Sequence, residues 1–96
     1  MLDRDRAVFA ISVAAELSGT TVQNLRAYER SGLLEPQRTE GGTRRYSEVD
    51  VERLMRIRTL LNAGLNIAGI ERVLILEEQV HELQNELASK PPRASR

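Results

Sequence analysis

Apolar positions change period several times along this chain, and each change marks an element. Val13 to Ser18 reads as a short first helix with Ser12 as its N-cap, stopped by Gly19, a residue that tolerates left-handed backbone. Thr20 and Thr21 are both N-cap candidates for a second helix, which runs to about Ser31 and ends at Gly32. Val22 and Leu25, with Leu33 beyond them, point to one side and are expected to pack on Val13 and Leu17. Gln23, Arg26, Ala27 and Arg30 lie on the other side, with Asn24 at its edge. Two short helices joined by a tight glycine-containing turn are the outline of a helix-turn-helix.

Pro36 blocks further helix, and the segment from Gln37 to Tyr46 reads as a short hairpin with Gly41 and Gly42 at its tip. Ser47 through Asp50 match a capping box, so a third helix starts at about Glu48, with Val51, Leu54, Ile57 and Leu61 as its apolar face and Gly64 at its end. Asn66 caps a fourth helix reaching about Ser89. Its apolar residues Val73, Leu76, Val80, Leu83 and Leu87 are spaced three, four, three and four apart, the a/d seam of a coiled coil. The seam is expected to join two copies; the alternative is that it folds back on its own domain. The resulting fold class is mainly α with a small β-hairpin wing. Residues 1–10 form an arm, flexible up to its apolar end, and 11–65 a winged helix-turn-helix. Residues 66–89 form a dimerisation helix, and 90–96 a polar tail expected to be disordered.

Ninety-six residues make one small domain, of a size that buries a low fraction of its surface and benefits from a partner. No cysteine is present, which removes disulfides, thiolate metal sites and a cysteine nucleophile; the one histidine, His81, falls on the solvent side of the seam. Gly41-Gly42 lacks the Lys-Ser/Thr of a phosphate loop, and no carboxylate pair or nucleophile-base set stands out. No enzyme, cofactor or metal is expected. With no membrane-length apolar run and no signal-peptide pattern, the expected location is cytoplasmic.

The net charge is zero, but its distribution is uneven. Between Val22 and Tyr46, Arg26, Arg30, Arg38, Arg44 and Arg45 outnumber Glu29, Glu35 and Glu40; between Asn66 and Ser89, five glutamates face Arg72 alone. The basic middle is therefore the candidate nucleic-acid surface. Gln23 can read adenine, Arg26 and Arg30 guanine or phosphate, and Ala27 can sit against a thymine methyl. Gln23 has a second possible role, as third-position partner in a Thr20 capping box. Arg38, Arg44 and Arg45 on a protruding ribbon suit the sugar-phosphate backbone. Tyr46 can give its hydroxyl to a phosphate, pack its ring under the ribbon, or do both. Glu29 falls near the apolar stripe and is expected to pair with an arginine and orient it, with the partner left open.

Ile11 to Gly19, Leu25-Arg26-Ala27-Tyr28-Glu29-Arg30-Ser31-Gly32-Leu33-Leu34 and Gly42-Thr43-Arg44-Arg45-Tyr46-Ser47 together resemble the MerR family of bacterial transcription regulators. Val8 to Ala15, Arg38 to Ser47 and Asn66 to Val73 are most similar to its HspR heat-shock repressor subgroup. The resemblance implies a homodimer joined by an antiparallel coiled coil, with the second helix in the DNA major groove and the hairpin flanking it. It implies DNA contacts at Arg26, Tyr28, Arg30, Arg44, Arg45 and Tyr46. With the candidates above, the expected DNA-binding set also includes Thr21, Gln23, Asn24 and Arg38. Gln23 stands where relatives often carry Arg, and Ala27 where they carry a second Tyr, so the operator is expected to differ. With little sequence after the coiled coil, a repressor without its own effector-binding region is expected, and for an HspR-like protein a DnaK-type chaperone as co-repressor. An excisionase-like DNA-bending protein and a MerR-like module that modulates a chaperone are the alternatives.

Overall fold

The computed structural model describes residues 3–89, and the expectation of a disordered tail lies outside that range. In chain order the elements are α1 (Ile11–Ser18), α2 (Val22–Arg30), β1 (Gln37–Arg38), β2 (Arg44–Arg45), α3 (Glu48–Asn62) and α4 (Ile67–Ser89).

Helix α1 begins two residues earlier than its sequence suggests. Ala10, in extended backbone, is the N-cap, and Ser12 lies exposed inside the first turn. The face that packs inward also differs from the expected one. Ala14, Ala15 and Ser18 face inward with Ile11 beside them, whereas Val13 and Leu17, the expected packing partners of α2, are 41% and 52% exposed. The small inward side chains let α1 lie against both α2 and α3. The Ser18 hydroxyl, buried with them, donates to the Ala14 carbonyl at 2.8 Å, so its burial leaves no unpaired polar atom. Gly19 ends the helix at φ 72°, and a side chain there would meet the Arg58 guanidinium.

Thr21, not Thr20, caps α2: its hydroxyl accepts from the Asn24 amide at 3.1 Å. The third helical residue is therefore Asn24, whose side chain returns to the Thr20 hydroxyl at 3.2 Å, and Gln23 has no part in the cap. After Leu33 and Leu34, both buried, the chain enters the antiparallel hairpin, in register Gln37 with Arg45 and Arg38 with Arg44.

The N-terminal arm is docked rather than free over its described length. The Val8 and Phe9 amides donate to the Tyr46 carbonyl, and the Tyr46 amide donates to that of Phe9 at 2.8 Å. Phe9, partly buried, packs on the core, and the end of the hairpin supplies hydrogen bonds to its backbone. Arg4 pairs with Glu48 and Glu52 on α3, holding the arm further along.

Helix α3 carries the expected capping box in both directions: Ser47 Oγ accepts from the Asp50 amide, and the Asp50 carboxylate accepts from the Ser47 amide at 2.9 Å. Its buried face is Leu54, Ile57 and Leu60, with Val51 and Leu61 on the flanks. Gly64 follows at φ 96°, and the Asn66 side chain caps α4 by accepting from the Gly69 amide at 2.8 Å. The first turns of α4 complete the core with Ile70 and Leu74, and Arg56 binds Glu77 across the α3–α4 junction. Beyond Leu74 no described side chain is buried, so α4 projects and the molecule reaches 58 Å in its long dimension.

Ser47→Ala removes one capping hydrogen bond at a buried helix start. The expected loss is about 1 kcal/mol, read by calorimetry as a fall in Tm of about 4–8 °C for a domain of this size.

Candidate nucleic-acid interface

The outward face of α2 presents Gln23, Arg26 and Arg30, each exposed, with half-buried Ala27 between them. None of the three long side chains makes a side-chain hydrogen bond or ion pair among the described residues, so their donors are available to a ligand. Thr21 and Asn24 share the exposed start of the helix, but both are engaged there in capping. Arg30 also sits in the last turn, where a cation complements the helix dipole.

The wing lies beside this face because Glu29 ties it there. Glu29 Oε1 accepts from Arg38 Nη2 at 3.1 Å and Oε2 from Arg44 Nε at 2.5 Å, one arginine from each strand. The open partner of Glu29 is thus two residues. Hydrogen bonding to Glu29 raises the Arg44 pKa above its ordinary value. Arg26, Glu29, Arg30 and Arg44 line a cleft of about 410 Å³ between α2 and the ribbon. Strand alternation puts Arg45 on the opposite face from Arg44, where it is half-buried with Nη1 on the Arg44 carbonyl at 3.3 Å.

Both tyrosines expected at the DNA surface belong mainly to the core. Tyr46 is fully buried at 0% exposure, and its hydroxyl has no hydrogen-bond partner, so as folded it cannot reach a phosphate. Its ring belongs to the buried core cluster, and its backbone pairs with Phe9 of the arm. Tyr28 is 6% exposed and belongs to the same buried cluster. Burial pushes the Tyr46 phenol above its ordinary pKa, with the Glu29 charge adding to the shift.

The stripe on α4 divides in two. Val73 is half-buried against its own core, which removes it from the freely available seam. Leu76, Val80, Leu83 and Leu87 are 52%, 52%, 58% and 72% exposed, four large apolar side chains on one face of a projecting helix. His81 lies exposed on α4, its ring nitrogen 3.3 Å from the Asn85 amide. No group of three or more potential metal ligands occurs among the described residues, and no helix there is long and apolar enough to cross a membrane.

Two short helices, a basic antiparallel ribbon and a supporting third helix define a winged helix-turn-helix. The chain belongs to the MerR HTH family of regulatory proteins, whose model matches residues 9–76. It is 51% identical over 84 residues to a protein of Streptomyces coelicolor named as heat shock protein HspR, a match covering 86% of this chain and 56% of that relative. The chain thus spans little more than half the length of that curated relative. Among solved structures it resembles HiNmlR, a MerR family regulator lacking the sensor domain, in a crystal bound to promoter DNA. The identity is 26% and the TM-score 0.63, over 83% of this chain and 73% of that one. It also resembles the transcription regulator PbrR691 of Ralstonia metallidurans CH34, in complex with lead(II), at 27% identity and a TM-score of 0.69 over 93% of each chain.

The buried, unpartnered hydroxyl of Tyr46 gives a test of its core assignment. Tyr46→Phe is expected to keep or raise Tm, since an unsatisfied buried polar group costs about 1–3 kcal/mol. The wild type should also be sensitive to alkali. Because the folded-state pKa lies above the unfolded one, the unfolded chain releases this proton first, so stability present below about pH 10 declines above it. Thermal melts between pH 8 and 11 should show a smaller decline for Tyr46→Phe; an equal decline in both would place the phenol in water.

Proposed function

We propose that this chain is a sequence-specific DNA-binding regulator of transcription that acts as a homodimer, with α2 in the major groove and the wing on the flanking backbone. The observation that carries the reading is the joining of two surfaces: an α2 face with uncommitted Gln23, Arg26 and Arg30, and an arginine ribbon fixed beside it through Glu29. The promoter-bound relative HiNmlR, at 26% identity, supports it. Gln23, Arg26 and Arg30 are assigned to base edges and nearby phosphates, Arg44 and Arg45 to the backbone, and Thr21 and Asn24 to the helix start with their exposed edges toward DNA.

The exposed stripe Leu76, Val80, Leu83 and Leu87, flanked by Val73, is the proposed dimer seam. Each such side chain contributes roughly 1.5–3 kcal/mol when fully buried, and the chain's own core leaves them uncovered. A repressor role, a DnaK-type chaperone as co-repressor and a cytoplasmic location rest on the similarity to the HspR protein. Operator binding by the purified protein, with and without such a chaperone and then with metals and metabolites, tests the regulatory part. An affinity that responds to a metabolite and not to the chaperone would overturn it.

Arg26, Arg30, Arg44 and Arg45 offer about four phosphate contacts per protomer, for which a dimer should show a log–log salt slope of roughly −7. Arg44→Ala should flatten that slope and weaken binding, whereas Gln23→Ala should alter base preference at nearly constant slope. Gel shifts at several salt concentrations check both, and salt-independent binding would sink the reading. Leu83→Asp should convert the dimer to monomer in sedimentation at micromolar concentration; a wild type that sediments as a monomer would refute the seam.

A further inference from the structure

The wing contains an arrangement that is unfavourable by itself. Arg38 and Arg44 are direct cross-strand partners in a ribbon whose strands are two residues long. Like charges directly opposite each other destabilise a strand pair, and so short a hairpin is at best marginal without support. Glu29 accepts one hydrogen bond from each arginine, and its side chain is only 18% exposed, behind the two guanidinium groups.

The donors are divided unequally. Arg38 spends Nη2 on Glu29 and Nη1 on the Gly42 carbonyl at the hairpin tip, so although the side chain is half exposed both its terminal nitrogens are committed to bracing the ribbon. Arg44 spends only Nε on Glu29, which leaves Nη1 and Nη2 uncommitted beside Arg26 and Arg30 at the cleft. A carboxylate in this position removes one unit of positive charge from a surface facing a polyanion. A bystander would be an electrostatic cost, whereas a brace that fixes the angle between wing and recognition helix has a use.

We propose that Glu29 is a positioning residue for DNA recognition, and that Arg38 is the strut through which it acts rather than a phosphate contact. The proposal rests on the DNA-binding reading and assigns its specificity: the clamp holds Arg44 at one distance from Arg26 and Arg30, so that the backbone contact sets the register of α2 on the bases. The clamp discriminates between sequences at the expense of overall attraction.

The test compares wild type, Glu29→Gln and Arg38→Met on two duplexes: one enriched from a random-sequence library by the wild-type protein, and one of the same composition with shuffled order. Affinities are measured across a range of salt, with thermal melts alongside. For Glu29→Gln the ratio of enriched to shuffled affinity is expected to fall about fivefold, the scale of a coupling of about 1 kcal/mol between contacting residues. Binding to the shuffled duplex should tighten, with a salt slope steeper by about one per protomer as Arg38 is released. Arg38→Met should lower the same ratio with an unchanged slope. Tighter binding of Glu29→Gln to both duplexes alike would make Glu29 a bystander charge. Parallel weakening on both, with a lower Tm and an unchanged slope, would make it merely structural. A slope flattened by about one in Arg38→Met would return Arg38 to the phosphates. Each of these overturns the proposal. A wild type that enriches no sequence instead overturns the DNA-binding reading on which it rests.

Discussion

One carboxylate holds the two halves of the basic surface together. Without Glu29, Arg38 and Arg44 would repel each other across a ribbon too short to resist, and nothing else described ties the outer edge of α2 to the hairpin. The remaining supports act on the base of the wing. Tyr46 fills the space beneath it, Phe9 pairs with Tyr46 from the arm, and Ser47 with Asp50 starts α3 immediately afterwards. The wing is thus fixed at its root by backbone pairing and a capped helix, and along its face by charge. These anchors differ in kind. Backbone pairs and a buried ring respond little to salt, whereas the ion pairs, partly exposed, are screened by it.

Much of this arrangement was legible in the sequence because it is local. Gly19, Gly32 and Gly64 mark ends of helices, the Ser47–Asp50 box marks a beginning, and the glycine tip between two short runs marks the hairpin. The a/d spacing along α4 shows the apolar stripe. Contacts between distant segments were not legible. Ser12 is a better cap by type than Ala10, yet α1 begins at Ile11, where Ala14, Ala15 and Ser18 can face α2 and α3 together. Tertiary packing decided a boundary that propensity placed elsewhere, and the assigned face moved with it.

For Tyr46 the packed ring of its two expected roles agrees with the structure and the phosphate contact does not, for a related reason. From sequence it is an aromatic with a polar tip at the end of an arginine-rich strand, which suits a phosphate contact. It is buried in a core drawn from four helices and pairs through its backbone with Phe9, more than thirty positions earlier, and no short-range pattern links these segments. Glu29 lies between these cases. Its position at the edge of an apolar stripe marked it for an arginine partner, but the identity of that partner depended on how the ribbon folds back. That two arginines share it follows from the register of Arg38 with Arg44.

Helix α4 extends the same reasoning from one protomer to two. Its first turns carry Ile70 and Leu74 into the core, and Val73 lies against them, so the axis of the helix is set by the domain before the exposed stripe begins. Arg56 and Glu77, each about half exposed, pair across the junction just where burial ends. A helix that is continuous from the core to the seam cannot rotate in one place without moving in the other. If the stripe from Leu76 to Leu87 joins two copies, the separation of the two α2 faces is fixed by the packing of Ile70 and Leu74, since the intervening backbone is unbroken helix. A dimeric reader of DNA must match half-sites set one helical turn, or a multiple of it, apart. In such a dimer the residues that set this distance are apolar and inside the core, not on the basic face.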